Sequence, residues 1–179
     1  CPEKLQNALL QVLEEKKATI GSHRIDIESD FIFIGTMNPQ DSSTEQLSEV
    51  FMDRFDIAHM GYPEEASIEE KIVEEKGKKI AEFPEDLLKL TVSFVRELRA
   101  SNKISRAPSV RATIGLYERA QANALLRARK KVQLEDVKDA MISVLAHRLE
   151  LKPSVRYSVS PEQFVAEEAE GFIEKGGYR

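Results

Sequence analysis

Residues 31–55 read FIFIGTMNPQDSSTEQLSEVFMDRF, and this stretch decides the fold. Its first five residues, FIFIG, form an apolar run that is too short for a stand-alone helix and typical of a strand inside a parallel sheet. Thr36 and Asn38 follow with a hydroxyl and an amide, and Pro39 prevents further strand pairing. Ligands of α/β proteins bind beyond the carboxyl ends of such strands. The stretch therefore predicts a polar site at the edge of a parallel sheet.

Arg54 reaches the same region about one helix later, within the Asp-Arg-Phe that ends the stretch. We expect a short helix over 42–51 to deliver it. A planar, permanently charged guanidinium near a strand-end amide favours phosphate chemistry. The simpler alternative is that Asn38 only caps a turn and that Arg54 is a surface residue paired with Asp53.

Composition describes a soluble, globular chain. The 179 residues are 41% hydrophobic and 32% charged, which suits one large domain or a domain remnant with a smaller second one. One cysteine excludes an internal disulfide, and no Cys/His cluster has zinc spacing, so no metal site is predicted. No run is long enough to span a bilayer and no signal peptide is evident, so we expect a cytoplasmic location.

Two elements are predicted before the opening stretch and one strand after it. Residues 3–16 carry apolar side chains at three-and-four spacing, which predicts an amphipathic helix packed on the sheet. Residues 17–27 place two β-rich pieces around Gly21-Ser22 and predict a β-hairpin. DIAHM at 56–60 is interpreted as another core strand, with His59 packed inside it.

The second half of the chain is helical in pattern. A helix with a Ser67–Glu70 capping box is expected first, followed by a break at 77–84. Three longer periodic helices are then expected to share one small core, over 84–100, 109–129 and 134–149. The tail carries a β-like VRYSV and then Ser160-Pro161, a helix start.

These patterns resemble the second half of an AAA+ ATPase, in particular the MoxR branch near the magnesium chelatase subunits. The resemblance rests on the T-x-N-P after FIFIG, the later D-R-F, APSVRAT at the second long helix, and VLAHRL at the end of the third. It implies that Asn38 is the sensor 1 residue, Arg54 the arginine finger and Arg111 the sensor 2 residue. The hairpin at 19–27 would face the ring pore in that family, or it is simply solvated.

The resemblance also implies a fold class, domains and cofactors. The fold would be an α/β remnant of a P-loop AAA+ core, with a helix, a β-hairpin and parallel core strands, followed by an all-α three-helix lid. We expect the core at 1–78, the lid at 79–150 and a C-terminal extension at 151–179. The full-length protein would use ATP and Mg²⁺ in a homo-oligomeric ring, such as a hexamer, to act on a client protein. No Walker A or Walker B motif occurs, so we expect this chain to be a remnant that is inactive alone.

Two other function classes stay open. An MCM-like or RuvB-like DNA motor shares the N-P and R-F elements, and residues 96–131 hold ten basic side chains against two acidic ones. The basic stripe is more simply a solvated or subunit-facing surface, because only one aromatic residue, Tyr117, lies within it, and the net charge of −5 also argues against nucleic acid. A non-catalytic helical interaction module would explain the lid but not Asn38 and Arg54.

Overall fold

The chain forms two compact units, Cys1–Met60 and Gly61–Arg179. The computed structural model describes residues 2–16, 18–20, 23–25, 31–38 and 47–176. Helices make up most of the described structure, and its strands are short.

The described residues of the first unit form two helices and a hairpin. They are α1 (Glu3–Glu15), β1 (Ala18–Ile20), β2 (His23–Ile25) and α2 (Glu49–Met52). The hairpin prediction is confirmed, since β1 and β2 pair antiparallel with Ala18 opposite Ile25; its turn lies outside the described residues. The predicted first helix is also confirmed. Its buried Gln6 accepts a hydrogen bond from the backbone N–H of Ser48 at 3.0 Å, which holds the start of α2.

The predicted core strands at 31–34 and 56–60 do not form. Residues 31–38 and 56–60 lie outside any strand, and the side chains of Ile32 and Ile34 are 89% and 86% exposed. A buried parallel strand needs hydrogen-bonding neighbours, and the strands of the described residues pair only as β1–β2 and β3–β4. Aromatic contacts replace the sheet, because the Phe55 ring lies 5.6 Å from that of Phe33 and 4.9 Å from that of Phe51. The helical part of the predicted fold class is confirmed, since a mostly helical unit follows the first one.

The second unit is a helical bundle with one small antiparallel pair of strands. Its elements are α3 (Ala66–Lys76), α4 (Glu85–Ala100), β3 (Ile104–Arg106), α5 (Val110–Leu126), α6 (Leu134–Leu145), β4 (Glu150–Leu151), α7 (Pro153–Arg156) and α8 (Pro161–Glu174), with a 3-10 turn at Ala146–Arg148. The three predicted lid helices correspond to α4, α5 and α6. They could be predicted because their apolar residues recur at the helical period. The prediction that VRYSV at 155–159 is β-like is wrong, since this segment lies across the short helix α7 and the turn after it.

The bundle core includes the C-terminal helix. Phe164 and Val165 of α8 are buried in the same cluster as the apolar residues of α4, α5 and α6. The α8 start is confirmed as a capping box, in which Gln163 N–H donates to Ser160 Oγ and Ser160 N–H to Gln163 Oε1, each at 3.2 Å. The predicted capping box at Ser67 is wrong, because the N-cap of α3 is Glu65, two residues before Ser67.

A buried glutamine attaches the segment before α4 to α5. Gln121 Oε1 accepts from the N–H groups of Ile80 and Ala81 at 2.8 and 2.9 Å. Its Nε2 donates to the carbonyls of Lys78 and Tyr117 at 3.0 Å each, so the amide is fully satisfied. This segment therefore packs on the bundle. The predicted functional division at 78 and 150 stays a prediction.

Candidate functional site

Asn38 lies at the end of the extended segment 31–38, where it is exposed. Pro39 and the residues that follow it up to residue 46 lie outside the described residues.

Arg54 lies in the turn that follows α2, and its guanidinium is already paired. Its Nε donates to Glu14 Oε1 at 2.5 Å, Nη2 contacts the same carboxylate, and Nη1 donates to the carbonyl of Val50. The partner is thus Glu14 of α1 and not Asp53, which the simpler alternative named. A surface ion pair of this kind is weak. Arg54 can leave it for a stronger anion at little cost.

Arg111 is the second residue of α5 and is exposed. Its side chain makes no hydrogen bond or ion pair with any residue that the structure describes. The backbone N–H groups of the first helical turn have no intrahelical acceptor, and the helix dipole is positive at this end. An anion placed here meets both the guanidinium and these N–H groups. The sensor 2 assignment of Arg111 stays a prediction.

A buried ionic cluster joins α3, α4 and α5, and it includes Thr113, two residues after Arg111. Glu69 of α3 is fully buried, and Arg99 of α4 binds it with two hydrogen bonds, Nη1 to Oε2 at 2.6 Å and Nη2 to Oε1 at 2.8 Å. Thr113 of α5 donates its hydroxyl to Oε1 at 2.6 Å. Burial alone raises the pKa of the Glu69 carboxyl, but the bonds from Arg99 and Thr113 outweigh burial and hold the pKa below the ordinary value of 4.5.

This cluster was not predicted from the sequence. Glu69 is one of several acidic residues in a helix that looks solvated, and Arg99 is one of many basic residues in a charged stripe. A charge that becomes buried through tertiary packing carries no local pattern. The signal that could have found it is the Gly-Tyr-Pro at 61–63, since Arg99 stacks on the ring of Tyr62 at 4.6 Å.

A shallow cavity of about 270 Å³ opens beside the cluster, lined by Tyr62, Pro63, Arg96, Arg99 and Ala100. Its arginines have few donors to spare. Arg96 donates to the carbonyls of Pro63 and Glu64 at 2.8 and 2.6 Å, and Arg99 Nε donates to the carbonyl of Pro108 at 2.8 Å. These bonds organise the protein itself, so the cavity is not the phosphate site.

The basic stripe at 96–131 is less free than its sequence suggests. Six of its ten basic side chains form ion pairs with acidic side chains within the described part of the chain: Arg96, Arg99, Lys103, Arg127, Arg129 and Lys131. Two of the acceptors, Glu69 and Asp136, are fully buried. The solvated-surface interpretation is wrong for Arg99, whose side chain is only 8% exposed, whereas the side chain of Arg127 is 38% exposed.

Across the described ranges, no group of His, Cys, Asp and Glu side chains is placed to hold a metal ion. No helix there is long and apolar enough to cross a membrane.

Two family descriptions match this chain. The first, ATPase family associated with various cellular activities (AAA), covers residues 1–57, and the second, AAA lid domain, covers residues 96–168. Their order is that of the two compact units. The predicted sensor 1 and arginine finger fall in the first match, and the predicted sensor 2 residue in the second.

Curated relatives agree with these matches. The chain is 27% identical to the YeaC protein of Bacillus subtilis over 92% of this chain and 59% of that protein. It is also 27% identical to Chaperone MoxR1 of Mycobacterium tuberculosis over 90% of this chain and 51% of that protein. The chain thus spans between half and three-fifths of the length of these relatives.

One solved structure, of a protein from Cytophaga hutchinsonii, shares 25% identity and a TM-score of 0.46 over 94% of this chain and 62% of that one. That score is too low to carry an argument. The two family matches follow each other as an AAA core and its lid, and together with the similarity to MoxR1 they identify this chain as a member of the AAA+ ATPases, on their MoxR-like branch.

Proposed function

We propose that this chain is part of a MoxR-type AAA+ ATPase that couples ATP hydrolysis to the remodelling of partner proteins or to metal or cofactor insertion into them. Arg111 carries the proposal. It combines an exposed guanidinium, the open N-terminus of a long helix and the lack of a protein partner among the described residues. MoxR1, one of the relatives, is described as a chaperone, which supports the choice of a protein client.

The residues divide the work of hydrolysis. Phosphoryl transfer depends on positioning and on charge stabilisation around an in-line attack. Asn38 orients the attacking water, Arg111 contacts the γ-phosphate, and Arg54 acts in the site of the neighbouring subunit. Bound Mg²⁺ would neutralise charge on the phosphates. The described residues offer it no ligand cluster, so we assign it none.

An arginine finger that acts in the site of the neighbouring subunit requires the subunits to form a ring. Head-to-tail interfaces close into rings when the rotation permits, and a homo-hexamer is the arrangement we propose, located in the cytoplasm, where ATP is abundant. The polypeptide of residues 1–179 has no Walker A loop in its sequence and is proposed not to hydrolyse ATP by itself. The ionic pairing of the basic stripe gives no support to a DNA motor.

Arg111→Ala tests the proposal most directly. In the protein at its native length, this change should weaken ATP affinity and slow turnover. Arg119→Ala is the matched control, because Arg119 is another exposed arginine on α5, two turns further along. Equal nucleotide affinity and turnover in both variants would overturn the sensor 2 assignment.

Arg54→Ala tests the finger. An arginine finger contributes on the order of 10³ to 10⁵ in rate, so turnover should collapse while the ring, followed by size-exclusion chromatography, persists. Glu14→Gln removes the ion-pair partner of Arg54 and leaves the arginine in place, so turnover should be kept or raised. Wild-type turnover in assembled Arg54→Ala protein would contradict the assignment.

A further inference from the structure

We propose that Glu69 and Arg99 are positioning residues that set the place of Arg111, an inference that rests on the function proposed above. Neither residue needs to touch nucleotide for this role. They form a buried ionic clamp on the start of α5, and Arg111 is the residue that the clamp holds between its two points of attachment.

The clamp grips the chain on both sides of Arg111. Before it, Arg99 Nε donates to the carbonyl of Pro108 at 2.8 Å. After it, the Thr113 hydroxyl donates to Glu69 at 2.6 Å. Pro108 and Thr113 lie three residues before and two residues after Arg111, so one rigid group of atoms fixes the backbone that carries it.

The start of α5 has no cap of its own. Ser109 is the N-cap residue but makes no side-chain capping hydrogen bond. Ser48 and Ser160, at the same position of α2 and α8, do make this bond. Because the usual local device is missing at α5, the clamp from α3 and α4 is what defines where this helix begins.

The chemistry of the clamp favours geometry over stability. A buried ion pair often contributes no more to folding than apolar residues of the same volume, since burying charge is costly. The guanidinium, however, is planar and binds a carboxylate through two parallel bonds in one orientation. Glu69 has both oxygens engaged by Arg99, and Arg99 has all three of its nitrogens engaged. Such a cluster allows one arrangement of α3, α4 and α5.

The other end of α5 supplies a matched control. Asp136 is also fully buried and is bound by Arg127 and Arg129, with 2.6 Å from each to Oδ1. At 1.5 Å per residue, this second cluster lies about 20 Å along the helix from Thr113. A change there costs stability in the same way but does not reach the backbone around Arg111.

The experiment measures the affinity of the native-length protein for N-methylanthraniloyl-ATP by fluorescence. Arg99→Lys keeps the charge but loses the two parallel bonds, and it should weaken affinity by about tenfold, since a misplacement of about 1 Å in a positioning group can cost up to ~100-fold. The control variant Asp136→Asn should bind the nucleotide with an affinity within twofold of wild type, even where it lowers Tm as much as Arg99→Lys does. If the Arg99→Lys variant does not fold, Glu69→Gln is measured in its place, with the same expected loss of affinity.

A double-variant comparison identifies the route of the effect. If Arg99 acts through Arg111, adding Arg99→Lys to Arg111→Ala should weaken affinity no further. A full extra tenfold loss in the double variant, or unchanged affinity in Arg99→Lys, would overturn this inference while leaving the sensor 2 assignment intact. Unchanged affinity in Arg111→Ala alone would remove the proposed function and this inference together.

Discussion

Replacing Thr113 by valine removes one hydroxyl from the buried clamp and keeps the shape of the side chain. The lost bond, 2.6 Å to Glu69 Oε1, is donated to a charged acceptor inside the bundle. Hydrogen bonds to charged groups contribute about 1.5 to 3 kcal/mol. Because Oε1 keeps its bond from Arg99 at 2.8 Å, we expect the low end of that range, a loss of about 1.5 to 2 kcal/mol in the free energy of unfolding at pH 7.

Thr91→Val is the control for this change. Thr91 is also fully buried, and its hydroxyl donates at 2.7 Å to the carbonyl of Leu87, which is a neutral acceptor one turn earlier in the same helix. That carbonyl keeps its helical partner after the change, so the cost should stay below about 1 kcal/mol.

Urea unfolding followed by tyrosine fluorescence gives the measurement. The chain has no tryptophan, and all four tyrosines lie beyond residue 60, so the signal reports on the second unit. Equal losses in Thr113→Val and Thr91→Val would refute the argument that the Glu69 charge strengthens the Thr113 bond.

Two glycines and one carboxylate give further predictions. Gly77→Ala should destabilise the protein by about 1 to 3 kcal/mol in urea unfolding, because a Cβ there would lie 2.6 Å from the carbonyl oxygen of Val73 and 2.7 Å from the ring of Tyr117. Gly171→Ala should instead stabilise α8 by about 0.5 to 1 kcal/mol, since no atom lies within 4 Å of its Cβ. The depressed pKa of Glu69 means that its carboxylate stabilises the fold above its unfolded pKa near 4.5 and loses this contribution as pH falls through the lower folded pKa. Glu69→Gln should therefore be less stable than wild type at pH 7, and the gap should narrow below about pH 4; a gap that is constant from pH 7 to 3 would contradict this.

The sequence predicted the helical unit well because its helices are amphipathic. In α4, eight of the sixteen positions are buried, and they recur at the helical period from Leu87 to Leu98. The strands failed for the opposite reason. FIFIG has the composition of a buried strand, but a strand forms only with hydrogen-bonding neighbours, and no described residue pairs with it as a strand. The composition of a segment indicates its preference for a strand, but it does not show whether a neighbouring strand is present to pair with it.

The candidate site divides in the same way. Arg111 could be found from sequence because its place at a helix start follows from a local motif, APSVRAT. Glu69 and Arg99 could not, because their partners come from three helices separated by 30 and 14 residues along the chain. The helix before Arg54, expected over 42–51, is Glu49–Met52 among the described residues, and the pairing of Arg54 with Glu14 could not be foreseen.

The buried part of α8 has a practical consequence for anyone who cuts or recombines lids of this family. The lid description ends at residue 168, but α8 continues to Glu174, Ala169 is buried, and the ring of Phe172 packs 5.4 Å from that of Phe94. A domain boundary placed at residue 168 would cut α8 and expose the apolar surface of α4 that Phe172 covers. Lids exchanged between relatives should therefore be joined after residue 174, where the module closes.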